Sequence, residues 1–362
     1  MKTTNNIVQF SIEKQFQLIK RLRGFYINDN EIHALPKNEF DAAYFLALET
    51  PRELSRFFGL RLDELEFQIN NPGYEHYNIA KKKGGKREIA APDLVLKRIQ
   101  RRLNHFLQAY YYCIKPPTVH GFVTNPISDK KACNILENAL PHVGKKYVLN
   151  IDLKDFFPSI HASRVKALFA SDLFHFNQQL VIALTLLTTY KGKLPTGAPT
   201  SPVISNFICL ELDHSINEFC SKNKVVYSRY ADDLSFSSDE KIEHSFIDGI
   251  NQLIAAKNFS LNPKKFRLKS ANKRQSVTGL TVNDKVNVDR RFIKKTRAML
   301  HDMSTNGIQL AAQRHFGAGG STDSSFETRF LERLNGYINF IGQIKGREDA
   351  LFLKMKGELG NR

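Results

Sequence analysis

Two aspartates set side by side between two apolar runs constrain this chain more than any other feature. Tyr230-Ala231-Asp232-Asp233 separates Val225-Val226-Tyr227-Ser228-Arg229 from Leu234-Ser235-Phe236-Ser237, so adjacent carboxylates ride on what reads as a tight β-hairpin. Like charges on a turn repel, and beside apolar strands they are also desolvated, an arrangement that a fold keeps where a cation neutralises them. An Asp-Asp turn alone is commonly a solvated loop, so a third carboxylate is needed before it implies chemistry. Asp152 is that carboxylate. It ends the β-rich run Lys146-Tyr147-Val148-Leu149-Asn150-Ile151-Asp152, and Pro158 a few residues on forbids the strand from continuing. Paired in one antiparallel sheet, Asp152 and Asp232 would face each other across two Mg²⁺ ions roughly 3.5–4 Å apart, the spacing that serves nucleotidyl transfer.

The charge balance points to a polyanionic partner. With 53 Lys+Arg against 36 Asp+Glu the chain stands at +17, and the excess is concentrated. Residues 81–102 hold nine basic and two acidic side chains, and residues 264–297 hold twelve and two. One such run could be a solvated helix face; two flanking an acidic centre point to a phosphate backbone. Cys113, Cys133, Cys209 and Cys220 show no C-x-x-C spacing, so neither a zinc knuckle nor a disulfide framework is supported, and a reducing cytoplasm is expected. No apolar leader opens the chain, and the longest apolar stretch, near residues 181–187, is too short to span a bilayer.

Residues 1–75 read as helical, with Thr50-Pro51-Arg52-Glu53 a capping box for a helix ending at Gly59 and a second helix over residues 62–70. A β-hairpin is expected to turn at Gly84-Gly85, with Lys81, Lys82 and Lys83 on one arm and Arg87 on the other. The helix over residues 93–112 places Leu96, Ile99, Leu103, Phe106 and Tyr110 on one face and Lys97, Arg98, Arg101 and Arg102 on the other. Leu194-Pro195-Thr196-Gly197-Ala198-Pro199 is a turn-rich loop in which Thr200 or Ser201 can cap a helix running to about Cys220. Its glycine would let a ligand approach the backbone closely.

The ordered set of Asp152 with Phe156-Phe157, the 194–202 loop with Ile204-Ser205-Asn206, Tyr230-Ala231-Asp232-Asp233, and Leu261-Asn262-Pro263-Lys264-Lys265 resembles the palm of a reverse transcriptase. Asn138-Ala139-Leu140-Pro141-His142 and Val277-Thr278-Gly279 resemble the bacterial retron branch, and Leu334-Asn335-Gly336-Tyr337 resembles the family's thumb. The likeness covers roughly residues 80–345. It implies an α+β right-hand polymerase: a helical N-terminal extension (1–75), fingers (76–145), a palm (146–289) and a helical thumb (290–362). It makes Asp152, Asp232 and Asp233 the ligands of two Mg²⁺ ions. Phe157 becomes the ring that excludes a ribose 2′-hydroxyl, while Phe156 packs inward. Arg87 with Lys82 or Lys83 grips the triphosphate, Thr196 and Gly197 line the nucleotide, and Lys265, with Lys264 its rival, donates a proton to pyrophosphate. Asn138, His142, Val277, Thr278 and Gly279 are implied in RNA recognition, as are Arg290, Arg291 and Lys294 at the start of the thumb.

One departure stands out: Thr196 replaces the glutamine that such enzymes carry in this loop, and its shorter side chain cannot make the same reach. The expected activity is RNA-directed DNA synthesis on a cognate structured non-coding RNA, begun in retrons from a guanosine 2′-hydroxyl. The product is RNA-linked DNA, with dNTPs as substrates, an effector or toxin protein as a candidate partner, and antiphage defence as the setting. Two alternatives stay open: another defence-associated or group II intron-like reverse transcriptase, or a non-catalytic RNA-binding scaffold.

Overall fold

Capping chemistry sets the helix over Pro51–Phe58. In the computed structural model, which describes residues 36–81, 84–126, 129, 133–316 and 324–360, α1 spans Lys37–Leu46, α2 Pro51–Phe58 and α3 Leu62–Asn70. The Thr50 hydroxyl accepts from the Glu53 N–H at 3.2 Å and Glu53 Oε2 accepts from the Thr50 N–H at 3.2 Å, the reciprocal box that the sequence predicts. Gly59 ends α2 at φ +71°. Strands β1 (Tyr74–Ala80) and β2 (Lys86–Pro92) pair antiparallel, Ala80 opposite Lys86, around a turn with Gly84 and Gly85 at positive φ. Helix α4 (Leu94–Ile114) is capped by Asp93, which accepts from the Leu96 N–H at 2.9 Å. Leu96, Ile99, Leu103, Leu107 and Tyr110 are buried on one side, while Arg98, Arg101 and Arg102 are exposed on the other.

The chain continues through α5 (Ile135–Ala139), β3 (Tyr147–Asp152), α6 (Ala162–Ala170) and α7 (Gln178–Thr188). The helix expected to run unbroken to about Cys220 is instead two helices, α8 (Ser201–Ile208) and α9 (Leu210–Lys222), meeting at the buried Cys209. Thr200 occupies the cap position without a side-chain bond, and the Ser201 hydroxyl donates back to the Pro195 carbonyl at 2.7 Å. Strands β4 (Val226–Tyr230) and β5 (Asp233–Ser238) form the hairpin, followed by α10 (His244–Ala256), β6 (Arg267–Ser270), β7 (Ser276–Val277) and β8 (Leu280–Thr281). Four strands make one sheet in the order β4-β5-β3-β6. Helices α11 (Arg290–Asn306), α12 (Ile308–Phe316), α13 (Ser324–Lys345) and α14 (Ala350–Gly360) complete the order. Among the described residues no helix is long and apolar enough to cross a membrane.

The chain divides into two compact units: residues up to Asn134 with Asn150–Phe236 and Ile242–Phe266, and Ile135–Leu149 with Ser237–Lys241 and residues from Arg267 on. The second has its own core, in which Phe330, Leu334, Ile338 and Ile341 form one stripe of α13 and meet Met299, Leu300 and Met303 of α11. In the first, the apolar interior holds a fully buried ion pair. Asp213 on α9 accepts from Arg229 Nε at 2.7 Å and Arg229 Nη2 at 2.6 Å, both residues being wholly out of solvent, and also from the Tyr227 hydroxyl at 2.7 Å. Arg229 Nη1 donates to Asn206 Oδ1 at 3.0 Å and to the Ala231 carbonyl at 3.1 Å. A planar fork so satisfied is a rigid strut beneath the hairpin.

Removing one end of that strut leaves a buried charge without its partner, so Asp213→Ala is expected to cost about 3–5 kcal/mol, whereas Asp213→Leu with Arg229→Met recovers most of it. Urea unfolding of the three proteins measures this; a loss under about 1 kcal/mol for Asp213→Ala would show that solvent reaches the pair.

Candidate active site

Strand β3 delivers Asp152 to the turn of the β4–β5 hairpin. The turn is two residues, Ala231 and Asp232, with Ala231 at φ +60°, the left-handed geometry that a tight hairpin demands. The Leu153 N–H donates to the Asp232 carbonyl at 3.0 Å and the Asn262 N–H donates to the Asp152 carbonyl at 2.8 Å, so Asp152 is fixed between the hairpin and the turn at Pro263–Lys265. Its side chain is 4% exposed and lies within hydrogen-bonding reach of the Asp232 and Asp233 carboxyls. The three carboxylates that the sequence singles out are therefore gathered at one place.

Their electrostatics follow from that crowding. Burial, then the charge of Asp152, holds the Asp232 carboxyl above the usual carboxylate range. Asp233, at the exposed rim, is pushed up to about 7 by desolvation of its carboxyl and then by the charge of Asp232. Lys265 answers them: its ammonium sits 2.5 Å from Asp152 Oδ1. Partial desolvation alone would lower its pKa, but the hydrogen bond to Asp152 and the three negative charges raise it. An all-oxygen donor set such as these three carboxyls suits a hard cation such as Mg²⁺. Among the described residues no group of three or more His, Cys, Asp or Glu side chains is placed so as to hold a metal ion, and Asp152 instead contacts the Lys265 ammonium.

The nucleotide residues divide. Phe157 is half-buried, with the Phe122 ring stacked at 5.7 Å and Phe156 at 5.5 Å, while Phe156 is buried against Phe259. The Thr196 carbonyl accepts from the Ala90 N–H at 2.8 Å, which ties this loop to β2. Gly197 holds φ +124°, and a Cβ there would lie 2.7 Å from Ile89 Cγ2 and 2.9 Å from the Ala90 carbonyl oxygen, so the glycine admits β2. Arg87 is exposed on β2, Lys264 is exposed beside Lys265, and Lys82 and Lys83 lie outside the described residues.

The RNA residues divide too. Asn138, His142 and Val277 are fully buried, with His142 Nδ1 2.7 Å from the Ser237 hydroxyl. The Thr278 hydroxyl donates to the Ile135 carbonyl at 3.1 Å, and Thr278 and Gly279 hold φ of +47° and +84° to turn β7 into β8. Asn138, His142 and Val277, which the resemblance implies in RNA recognition, thus keep their side chains inside the fold and off its surface. Arg290, Arg291 and Lys294 are exposed on the first turns of α11.

Sequence reasoning assigned no role to Arg229, Asp213, Asn206 or Gly121. The strut is their contribution, and Gly121 passes so near the hairpin that a Cβ would lie 2.2 Å from the Ala231 nitrogen. The signal was an arginine inside a strand otherwise reading as apolar, a position that burial makes expensive unless a carboxylate faces it.

A profile of the family described as Reverse transcriptase (RNA-dependent DNA polymerase) matches residues 79–283. The retron Ec86 reverse transcriptase of Escherichia coli is 34% identical over 59% of this chain and 61% of its own length. The retron Mx65 reverse transcriptase of Myxococcus xanthus is 30% identical over 76% of this chain and 68% of its own length. Among solved structures, telomerase from Candida albicans in complex with a telomeric RNA fragment aligns at TM-score 0.44 and 10% identity, covering 80% of this chain and 63% of that one, a likeness that bears no weight here.

Metal-free stability should carry the mark of Asp233. Its carboxyl holds a proton to about 7 in the fold and to 3.8 otherwise, so the folded state binds the extra proton across that window and stability falls as pH rises through it. With chelator present, Asp233→Asn is expected to flatten this fall and melt about 2–4 °C above wild type near pH 8. Differential scanning fluorimetry at several pH values checks it; identical slopes for the two proteins would remove Asp233 as the cause.

Proposed function

Since the chain belongs to the reverse transcriptase family, in its retron-type branch, we propose that it is an RNA-directed DNA polymerase that copies part of a cognate structured non-coding RNA into DNA linked to that RNA. The observation that carries this reading is the meeting of Asp152 with Asp232 and Asp233, fastened by the Leu153 to Asp232 backbone bond. A non-catalytic scaffold would have no use for three like charges that destabilise one another. Dividing the chain into an extension (1–75), fingers (76–145), palm (146–289) and thumb (290–362) belongs to the same proposal, as do dNTP substrates, a cytoplasmic setting, an effector-protein partner and a role in antiphage defence.

In the reaction a primer hydroxyl attacks the α-phosphate in line, the bond from that phosphorus to the bridging oxygen breaks, and pyrophosphate departs. Asp152, Asp232 and Asp233 would hold two Mg²⁺ ions, which when bound supply charge neutralisation at both the attacking and leaving oxygens. The chain's own groups do the rest. Lys265 keeps a proton at Nζ within the site and can pass it to the departing pyrophosphate. Arg87, exposed at the hairpin, meets the triphosphate. Phe157 occupies the space that a 2′-hydroxyl would enter and so favours deoxynucleotides. Arg290, Arg291 and Lys294 hold the RNA backbone, where A-form helices are recognised by shape and 2′-hydroxyls. Asn138, His142 and the Val277-Thr278-Gly279 turn act on RNA indirectly, by shaping the surface above their buried side chains.

Nucleic acid extracted from cells expressing wild type and Asp232→Asn/Asp233→Asn tests the activity: RNA-linked DNA is expected only with wild type, and equal amounts in both would refute the polymerase. Phe157→Ala is expected to relax sugar discrimination by about 10–100-fold in the ratio of kcat/KM for a deoxynucleotide over its ribonucleotide. Steady-state incorporation on a primed RNA template reads it, and an unchanged ratio would end that role.

A further inference from the structure

Phe122 is held in a backbone conformation that its side chain resists. Its φ is +59°, a region in which a bulky residue is a genuine outlier. Such strain persists only where the surroundings over-determine it, and here they do. The Phe122 carbonyl accepts from the Gln108 amide at 2.9 Å and from the Asn206 amide at 3.3 Å, and the same Asn206 nitrogen donates to the Gly121 carbonyl at 3.0 Å. Gln108 turns its other amide atom to the Thr124 N–H at 3.0 Å, so one side chain brackets the strained residue. Upstream, the His120 N–H donates to the Arg229 carbonyl at 3.0 Å and the Arg229 N–H to the Thr118 carbonyl at 2.9 Å, which lays the segment alongside β4. Gly121, the residue between, has no room for a side chain against Ala231.

All of this holding has one visible product, the placement of the Phe122 ring. It stacks on Phe157 with centroids 5.7 Å apart and planes 29° apart, and Phe156 meets the same ring at 5.5 Å. Neither ring is needed to fill the core, both being only half-buried. From this geometry we propose that Phe122 is a positioning residue for sugar selection, a backstop that keeps Phe157 from yielding when a 2′-hydroxyl presses on it. The inference rests on the reading of Phe157 as the excluding ring. A ring rejects a hydroxyl only as firmly as it is supported, since a displacement of about 1 Å reopens the space. The backstop is also tied to the catalytic turn. Asn206, which holds Phe122, accepts from Arg229, and Arg229 holds the Ala231 carbonyl beside Asp232.

The test compares wild type, Phe122→Asn, Phe157→Ala and the double variant for kcat/KM with a dNTP and its matching NTP on a primed RNA template. Asn accepts the left-handed backbone and removes the ring; Phe122→Gly, free of strain at the same φ, serves if the first variant does not fold. Phe122→Asn is expected to lower the deoxynucleotide preference on the order of tenfold while kcat with dNTP stays within about threefold, and to add little to Phe157→Ala because both act through one ring. Phe122→Tyr, which keeps the ring, retains the wild-type ratio. If Phe157→Ala relaxes selection while Phe122→Asn does not, or if the two effects add independently, the backstop is wrong and the Phe157 reading stands. If Phe157→Ala leaves the ratio unchanged, the Phe157 reading fails and the backstop with it.

Discussion

Holding like charges together against their own repulsion is the constraint around which this molecule is built. Burial, and then the charge of a neighbouring carboxyl, lifts the proton affinities of Asp232 and Asp233, and a hairpin turn is among the easier places for a chain to relax. What prevents relaxation is the Arg229 guanidinium, entirely buried, with its fork on Asp213 and one nitrogen on the Ala231 carbonyl. A lysine could not substitute, since a point charge would fix neither the plane nor the direction of the strut. The expense of burying an ion pair, which an apolar pair of equal volume would avoid, is intelligible as the condition for keeping a repulsive turn in one conformation. Support and repulsion thus meet at the same strand end.

What the sequence made legible was local chemistry. The capping box at Thr50 and Glu53, the Gly84-Gly85 turn, the two-sided α4 and the Asp-bearing hairpin all rest on interactions within a few residues, and each forms where spacing places it. Asp152 is the exception that proximity rules could not reach; its meeting with the hairpin followed from the chemistry that three acids would share. What stayed hidden depends on partners far along the chain. The break at Cys209 carries no Pro or Gly to announce it. Gly197 is a glycine because of Ile89 and Ala90, more than a hundred positions earlier, and no local reading distinguishes that from a ligand-facing loop. Asn138 and His142 are implied in RNA recognition by the family resemblance, yet both are buried, His142 with its Nδ1 beside the Ser237 hydroxyl.

Sign and location of charge complete the picture. Asp289 caps α11, accepting from the Arg291 N–H at 2.7 Å and pairing with Arg274 at 2.6 Å, as the positive end of a helix favours. Yet the same first turns carry Arg290, Arg291, Lys294, Lys295 and Arg297, all exposed, and cations there oppose the helix dipole. Folding of α11 is accounted for by Thr296, Met299, Leu300 and Met303 on its buried face, so the outward cations are not what makes it a helix. On the nucleic-acid-binding reading proposed above, the phosphates of a bound strand would turn these unfavourable charges into favourable ones, at the same stroke releasing counterions. On that reading the acidic hairpin and the basic helix are two forms of one strategy, in which charge left uncompensated by the protein would be compensated by what it binds.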